Sequence, residues 1–189
     1  MVLPARRLHY PYEEYLLLLE MSDVRLEYCD GEIYAMAGGT PTHARLAARA
    51  TALLEGALKG SCQAFSSDLK IRVEETNLAA FPDVSVICGP IQPSPKDKNA
   101  AVNPVLLVEI TSNSTEEYDR GAKLAHYQRL TSLRAALLIS HTEQRLTLHV
   151  REGDSWRIHE LVPGQSLTLA EPALSIPVEA FYANVMLEN

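Results

Sequence analysis

The segment Val105-Leu106-Leu107-Val108-Glu109-Ile110 constrains the fold more than any other stretch of the chain. An aliphatic run of this length reads as a strand buried on both faces at the centre of a sheet. Inside it stands Glu109. A carboxylate among aliphatic side chains is costly unless something compensates it, and a metal ion is one common answer. Two readings are open: Glu109 lies at an exposed strand end paired with an arginine, or it serves a site. Phe81-Pro82-Asp83-Val84-Ser85-Val86-Ile87 places Asp83 at the head of a second apolar strand. Pro-Asp alone is a common turn dipeptide. Two neighbouring strands, however, can present Asp83 and Glu109 at one edge, where hard oxygen ligands suit Mg²⁺ or Mn²⁺.

The rest of the chain supplies both helical and strand periods. Tyr12–Glu20 reads as a short helix, and Arg25–Cys29 and Glu32–Met36 as antiparallel strands around the turn dipeptide Asp30-Gly31. Pro41–Lys59 is a longer helix, capped by Thr40, opened by Pro41 and ended by Gly60, with Leu46, Ala50, Leu53, Leu54 and Leu58 on its buried face. Phe65–Val73, Pro82–Cys88 and Val105–Ile110 are the next strands. Ser114 with Glu117 forms a capping box for a second long helix reaching about Leu130. Ala135–Ser140, Leu146–Val150 and Ser155–Leu161 are strands again. The prolines of Gly89–Pro95, together with Lys96–Asn99, mark a surface loop. This order predicts an α/β sandwich, one domain over residues 1–189, with a mixed central sheet flanked by helices.

Composition narrows the class. The 189 residues are 47% hydrophobic and 22% charged, as in globular chains, so a disordered chain or a fibre is excluded. No apolar run approaches a membrane span and no apolar core succeeds the N-terminal arginines, so the expectation is a cytoplasmic protein without membrane contact. A net charge of -7 argues against passive coating of DNA, though an enzyme acting on nucleic acid needs only a local field. Cys29, Cys62 and Cys88 are odd in number and lack C-x-x-C spacing, so reduced thiols are expected.

Pro82-Asp83…Glu109-x-Thr111 resembles the PD-(D/E)XK nuclease superfamily, with Thr111 where lysine usually stands. Asn103–Ser112, Ser114-Thr115, Tyr118–Gly121, Lys123 and Tyr127 further resemble a restriction-endonuclease-like family long filed as a domain of unknown function. Glu27, His43, Ser67-Asp68 and Phe181-Tyr182 also match its pattern, and the resemblance runs from about Tyr12 to Val185. It implies that Asp83 and Glu109 hold Mg²⁺ or Mn²⁺, that Glu27 is an outer acidic residue, and that Lys123 replaces the displaced lysine. It implies supporting or substrate-binding roles for His43, Asp68 and Tyr127. Each has a plainer alternative: an i,i+4 pair with Asp119 for Lys123, core packing for Tyr127, helix capping for His43, and a pair with Lys70 or Arg72 for Asp68.

The expected function is a metal-dependent endonuclease hydrolysing DNA, acting as a homodimer through the C-terminal strands and Trp156. Arg120, Arg129, Arg134, Lys96 and Lys98 are candidates for backbone contacts. The competing expectation is a nuclease fold that binds partners without turnover, and a small-molecule hydrolase is a third. His126, His141, His149 and His159 receive no role.

Overall fold

A computed structural model describes residues 9–36, 38–111 and 119–188, and its strands form two stacked six-stranded sheets and a small hairpin. The first sheet has the order β2 (Glu32–Ala35), β1 (Leu26–Cys29), β5 (Leu78–Ala80), β4 (Lys70–Val73), β8 (Asp97–Ala101) and β7 (Pro93–Ser94). The second has the order β12 (Ser155–Leu161), β11 (Leu146–Glu152), β10 (Ala135–Ile139), β9 (Leu106–Ile110), β6 (Val84–Cys88) and β3 (Cys62–Ser66). Both are mixed: β9 runs parallel to β10 and β4 parallel to β8, while the other pairings are antiparallel. A further hairpin, β13 (Ser166–Leu169) and β14 (Leu174–Pro177), precedes a short C-terminal helix.

Three apolar layers hold the stack. Helix α1 (Tyr12–Met21) packs Tyr12 and Tyr15 onto Tyr28 and Ala79 of the first sheet. Ile71, Val73, Leu78 and Ala80 of that sheet meet Ile87 and Leu107 of the second. The opposite face of the second sheet, with Val84, Val86, Leu106, Val108 and Ile110, buries Leu46, Ala50 and Leu54 of α2 (Pro41–Ala57) and the C-terminal hairpin. Thr40 caps α2 by accepting from the His43 amide at 3.2 Å, as its sequence predicts. Asp30 and Gly31 both take positive φ, 43° and 91°, the combination a tight hairpin requires.

Several expectations need correction. The mixed sheet flanked by helices is present, but a second mixed sheet is stacked on it. Phe65–Val73 is split by a turn, so that β3 and β4 belong to different sheets. The proline-rich loop carries β7 and β8, because Pro93 sits on an edge strand where its missing N–H costs no ladder bond. The capping box at Ser114 and Glu117 lies outside the described residues. Within the rest of the span predicted as a second long helix, a π-helical turn, Asp119–Lys123, runs into α3 (Leu124–Tyr127). Cys62 and Cys88 are bonded as directly opposed residues of β3 and β6, against the expectation of three reduced thiols. No helix among the described residues is long and apolar enough to cross a membrane.

Candidate active site

Strand β9 presents alternate residues to different layers. Leu106, Val108 and Ile110 face α2, whereas Leu107 faces the first sheet, and Glu109 shares the side of Leu107. Strand β1 alternates likewise: Tyr28 packs under α1 and Cys29 between the sheets, which directs Glu27 between the sheets as well. The two carboxylates therefore approach each other from facing sheets, each nearly excluded from solvent.

Lys123 compensates them. Its Nζ lies 3.1 Å from Glu27 Oε1 and 3.0 Å from Glu109 Oε1, and its side chain is 6% exposed. One turn further, the Tyr127 hydroxyl donates to Glu109 Oε1 at 2.6 Å, and the Phe81 amide donates to Glu27 Oε1 at 3.0 Å. Glu109 is buried beside a lysine, not exposed at a strand end with an arginine. The side chain of Asp119, the alternative partner of Lys123, lies outside the described residues.

Asp83 stands one step beyond the Val84–Val108 pair of β6 and β9, hence opposite Glu109. Its Oδ2 accepts from the Ile110 amide at 2.8 Å and lies 3.2 Å from His43 Nε2 at the start of α2. His43 thus joins the cluster in addition to lending its amide to the cap. Asp68 does not join it. Its side chain is 84% exposed and pairs with Arg25 at 2.5 Å, while Lys70 is bound to Asp97 and Arg72 lies beside Glu74 and Asn77.

Two neighbours escaped the sequence reading. Thr111, on the Glu109 side of the chain, contacts His141 Nδ1 through its hydroxyl at 3.0 Å, and both are buried. The parallel β9–β10 pairing places the end of β10 there, and strand order is invisible to local periodicity. Cys29 Sγ lies 3.6 Å from His126 Nε2, a contact between β1 and α3 beside the Glu27–Lys123 pair of β1 and the π-helical turn. Burial pushes the His126 imidazole below its ordinary pKa. The proposed basic contacts are dispersed: Arg129 pairs with Glu75 and Arg134 with Glu171. The side chain of Arg120 lies outside the described residues. Trp156 is half-buried, packed against the layer between the sheets under the Arg151 guanidinium.

The donor set bears on a metal. Among the described residues no group of three or more His, Cys, Asp and Glu is arranged to hold an ion by itself. Mg²⁺ is commonly held by one or two carboxylates and completed by water and substrate phosphate, so Asp83 and Glu109 meet its requirement. Lys123 lies against Glu27 and Glu109, and His43 against Asp83.

Residues 12–179 match the family model Uma2, described as "Putative restriction endonuclease". The chain is 37% identical over 172 residues to the uncharacterized protein slr1290 of Synechocystis, covering 90% of each chain. It is 29% identical over 151 residues to sll1609 of the same organism, covering 79% of this chain and 85% of that one. Its fold matches a crystal structure titled as a putative nuclease belonging to DUF820 from Anabaena variabilis. That match has a TM-score of 0.74 and 15% identity, over 92% of this chain and 98% of the other.

Proposed function

Because the chain belongs to the Uma2 family, described as "Putative restriction endonuclease", we propose that it hydrolyses phosphodiester bonds of DNA with a divalent cation held by Asp83 and Glu109. The observation that carries this reading is the buried bridge of Lys123 between Glu27 and Glu109. Thr111 occupies the position expected for the motif lysine, yet an ammonium reaches the same carboxylate from the helical turn that leads into α3. The substituted position therefore does not leave the site without a cation.

Mg²⁺ or Mn²⁺, when bound, supplies a Lewis-acid charge for the phosphate oxygens. The chain's own residues do the remainder. The Ile110 amide and His43 fix the orientation of Asp83, and Tyr127 fixes that of Glu109, so neither carboxylate must reorganise on binding. Lys123, pinned at both ends, offsets negative charge that grows on the phosphate and orients the attacking water. Glu27 holds Lys123 in place. The water attacks phosphorus in line with the 3′ oxygen, its hydroxyl going to phosphorus and its proton to the departing oxygen. A homodimer belongs to this reading, since cutting both strands takes two such sites.

The test is a calorimetric titration of Mn²⁺ into the parent protein and Asp83→Asn, with cleavage assays of both on plasmid DNA. The substitution retains an oxygen for the Ile110 amide, so the fold is expected to survive. Saturable Mn²⁺ binding and plasmid cleavage, both lost in the variant, are the expected results. Equal cleavage by the two proteins would remove Asp83 from the reaction, and no cleavage by the parent would favour a binding module.

A further inference from the structure

Beside the cluster lies a cavity of about 420 Å³, bordered by Arg25, Asp68, Lys70, Phe81 and Asn99. It abuts the site through two short covalent links. Arg25 precedes Glu27 by two residues, and Phe81 precedes Asp83 by two and donates its amide to Glu27. The two cations of this cavity differ. Lys70 is 7% exposed and held by Asp97 at 2.6 Å, so its charge is spent inside the protein. Arg25 is 34% exposed, and its carboxylate partner, Asp68, is 84% exposed.

Three contacts set the state of Arg25. Its guanidinium lies 5.1 Å from the centre of the Phe81 ring, donates to Ser67 Oγ at 3.1 Å, and pairs with Asp68. The ring and the hydroxyl hold the fork in position without neutralising it. Asp23 also borders the cavity, but among the described residues the ion-pair contact of Arg25 is with Asp68, and so exposed a pair contributes little. A planar guanidinium fixed in this way matches the geometry of a phosphate diester as it does that of a carboxylate.

We infer that Arg25 is a nucleic-acid contact that binds a backbone phosphate flanking the cleaved one, and that Asp68 occupies its guanidinium until that phosphate displaces it. This rests on the nuclease reading and adds to it a substrate subsite and a competing carboxylate. Asp68 then acts against binding: its charge must leave Arg25, and it repels the incoming strand.

Binding of a fluorescein-labelled DNA duplex, measured by anisotropy across a salt series, tests the inference in an Asp83→Asn background, where cleavage does not intervene. Adding Asp68→Asn should tighten binding, by up to about fivefold, the ceiling set by an exposed ion pair. Adding Arg25→Gln should weaken it about tenfold, as for loss of a charge-assisted hydrogen bond. It should also reduce the salt slope by about one, as for loss of one phosphate contact. Circular dichroism checks folding of the Arg25 variant, and the solvent-exposed Asp68 substitution carries the test if that variant does not fold. If the duplex binds and neither substitution moves affinity or slope, the phosphate subsite is overturned while the nuclease reading stands. If the Asp83→Asn protein and the parent both fail to bind duplex, the nuclease reading falls first and takes the subsite with it.

Discussion

At the scale of single residues the balance rests on Lys123. Removing one partner of a buried ion pair leaves the other uncompensated, and here two carboxylates would face each other across a dry interface. Lys123→Met is therefore expected to lower stability by about 3–5 kcal/mol in a urea titration. Combining it with Glu27→Gln should restore part of that loss while leaving cleavage slow. A stable single variant would show that the ammonium is not shared as described. That Glu109 needed a partner was legible from its apolar neighbours. Lys123 was reached only through the family resemblance, because the contact joins residues on β9 and on the helical turn after it through side-chain direction, which spacing alone leaves open.

At the scale of elements the strands were read by composition and the pairings were not. The β1–β2 hairpin and the cap of α2 depend on adjacent residues, so Asp30-Gly31 and Thr40 were sufficient to foresee them. The bond between Cys62 and Cys88 depends on a register between β3 and β6 across a separation of 26 residues, and cysteine spacing carries no trace of that. It makes a direct prediction. Under denaturing, non-reducing conditions the protein should show one reactive thiol, Cys29, and after reduction three. Closing a loop of this length is worth about 3 kcal/mol, so Cys62→Ser with Cys88→Ser should lower the urea midpoint accordingly. Three reactive thiols without reductant would refute the pairing.

Over the whole molecule, the pH range of stability is set at both ends of the layered stack. Burial works against the charge of Asp97, but the hydrogen bond from Lys70, then the Asn99 amide, hold its carboxyl below the ordinary range. A depressed carboxylate contributes stability above its unfolded pKa and loses it as pH falls through the folded one, so this contribution should disappear below about pH 4. Burial, reinforced by the charge of Asp97, pushes Tyr12 and Tyr15 well above the usual phenol value, and burial does the same to Tyr182. A raised phenol stabilises fully below its unfolded pKa and ceases to do so as pH rises through the folded one, so stability should decline above about pH 10. Melting temperatures of the parent and of Tyr12→Phe across about pH 9–11 check this. The variant should show the shallower decline, and identical curves would exclude Tyr12 from the alkaline transition.

From the sequence alone came the classes of element, the burial of β9 and β6, and the two carboxylates at their shared end, because hydrophobic period and local turn chemistry act over a few residues. The resemblance to nucleases also came from residue identities, since it rests on Pro82-Asp83, Glu109 and the segment after it. The tertiary structure decided that there are two sheets and that Asp83 stands opposite Glu109. It also decided that Lys123 bridges Glu27 and Glu109, and that Asp68 answers to Arg25. Each of these depends on strand order, register or side-chain direction between distant segments, and those are settled only when the layers pack.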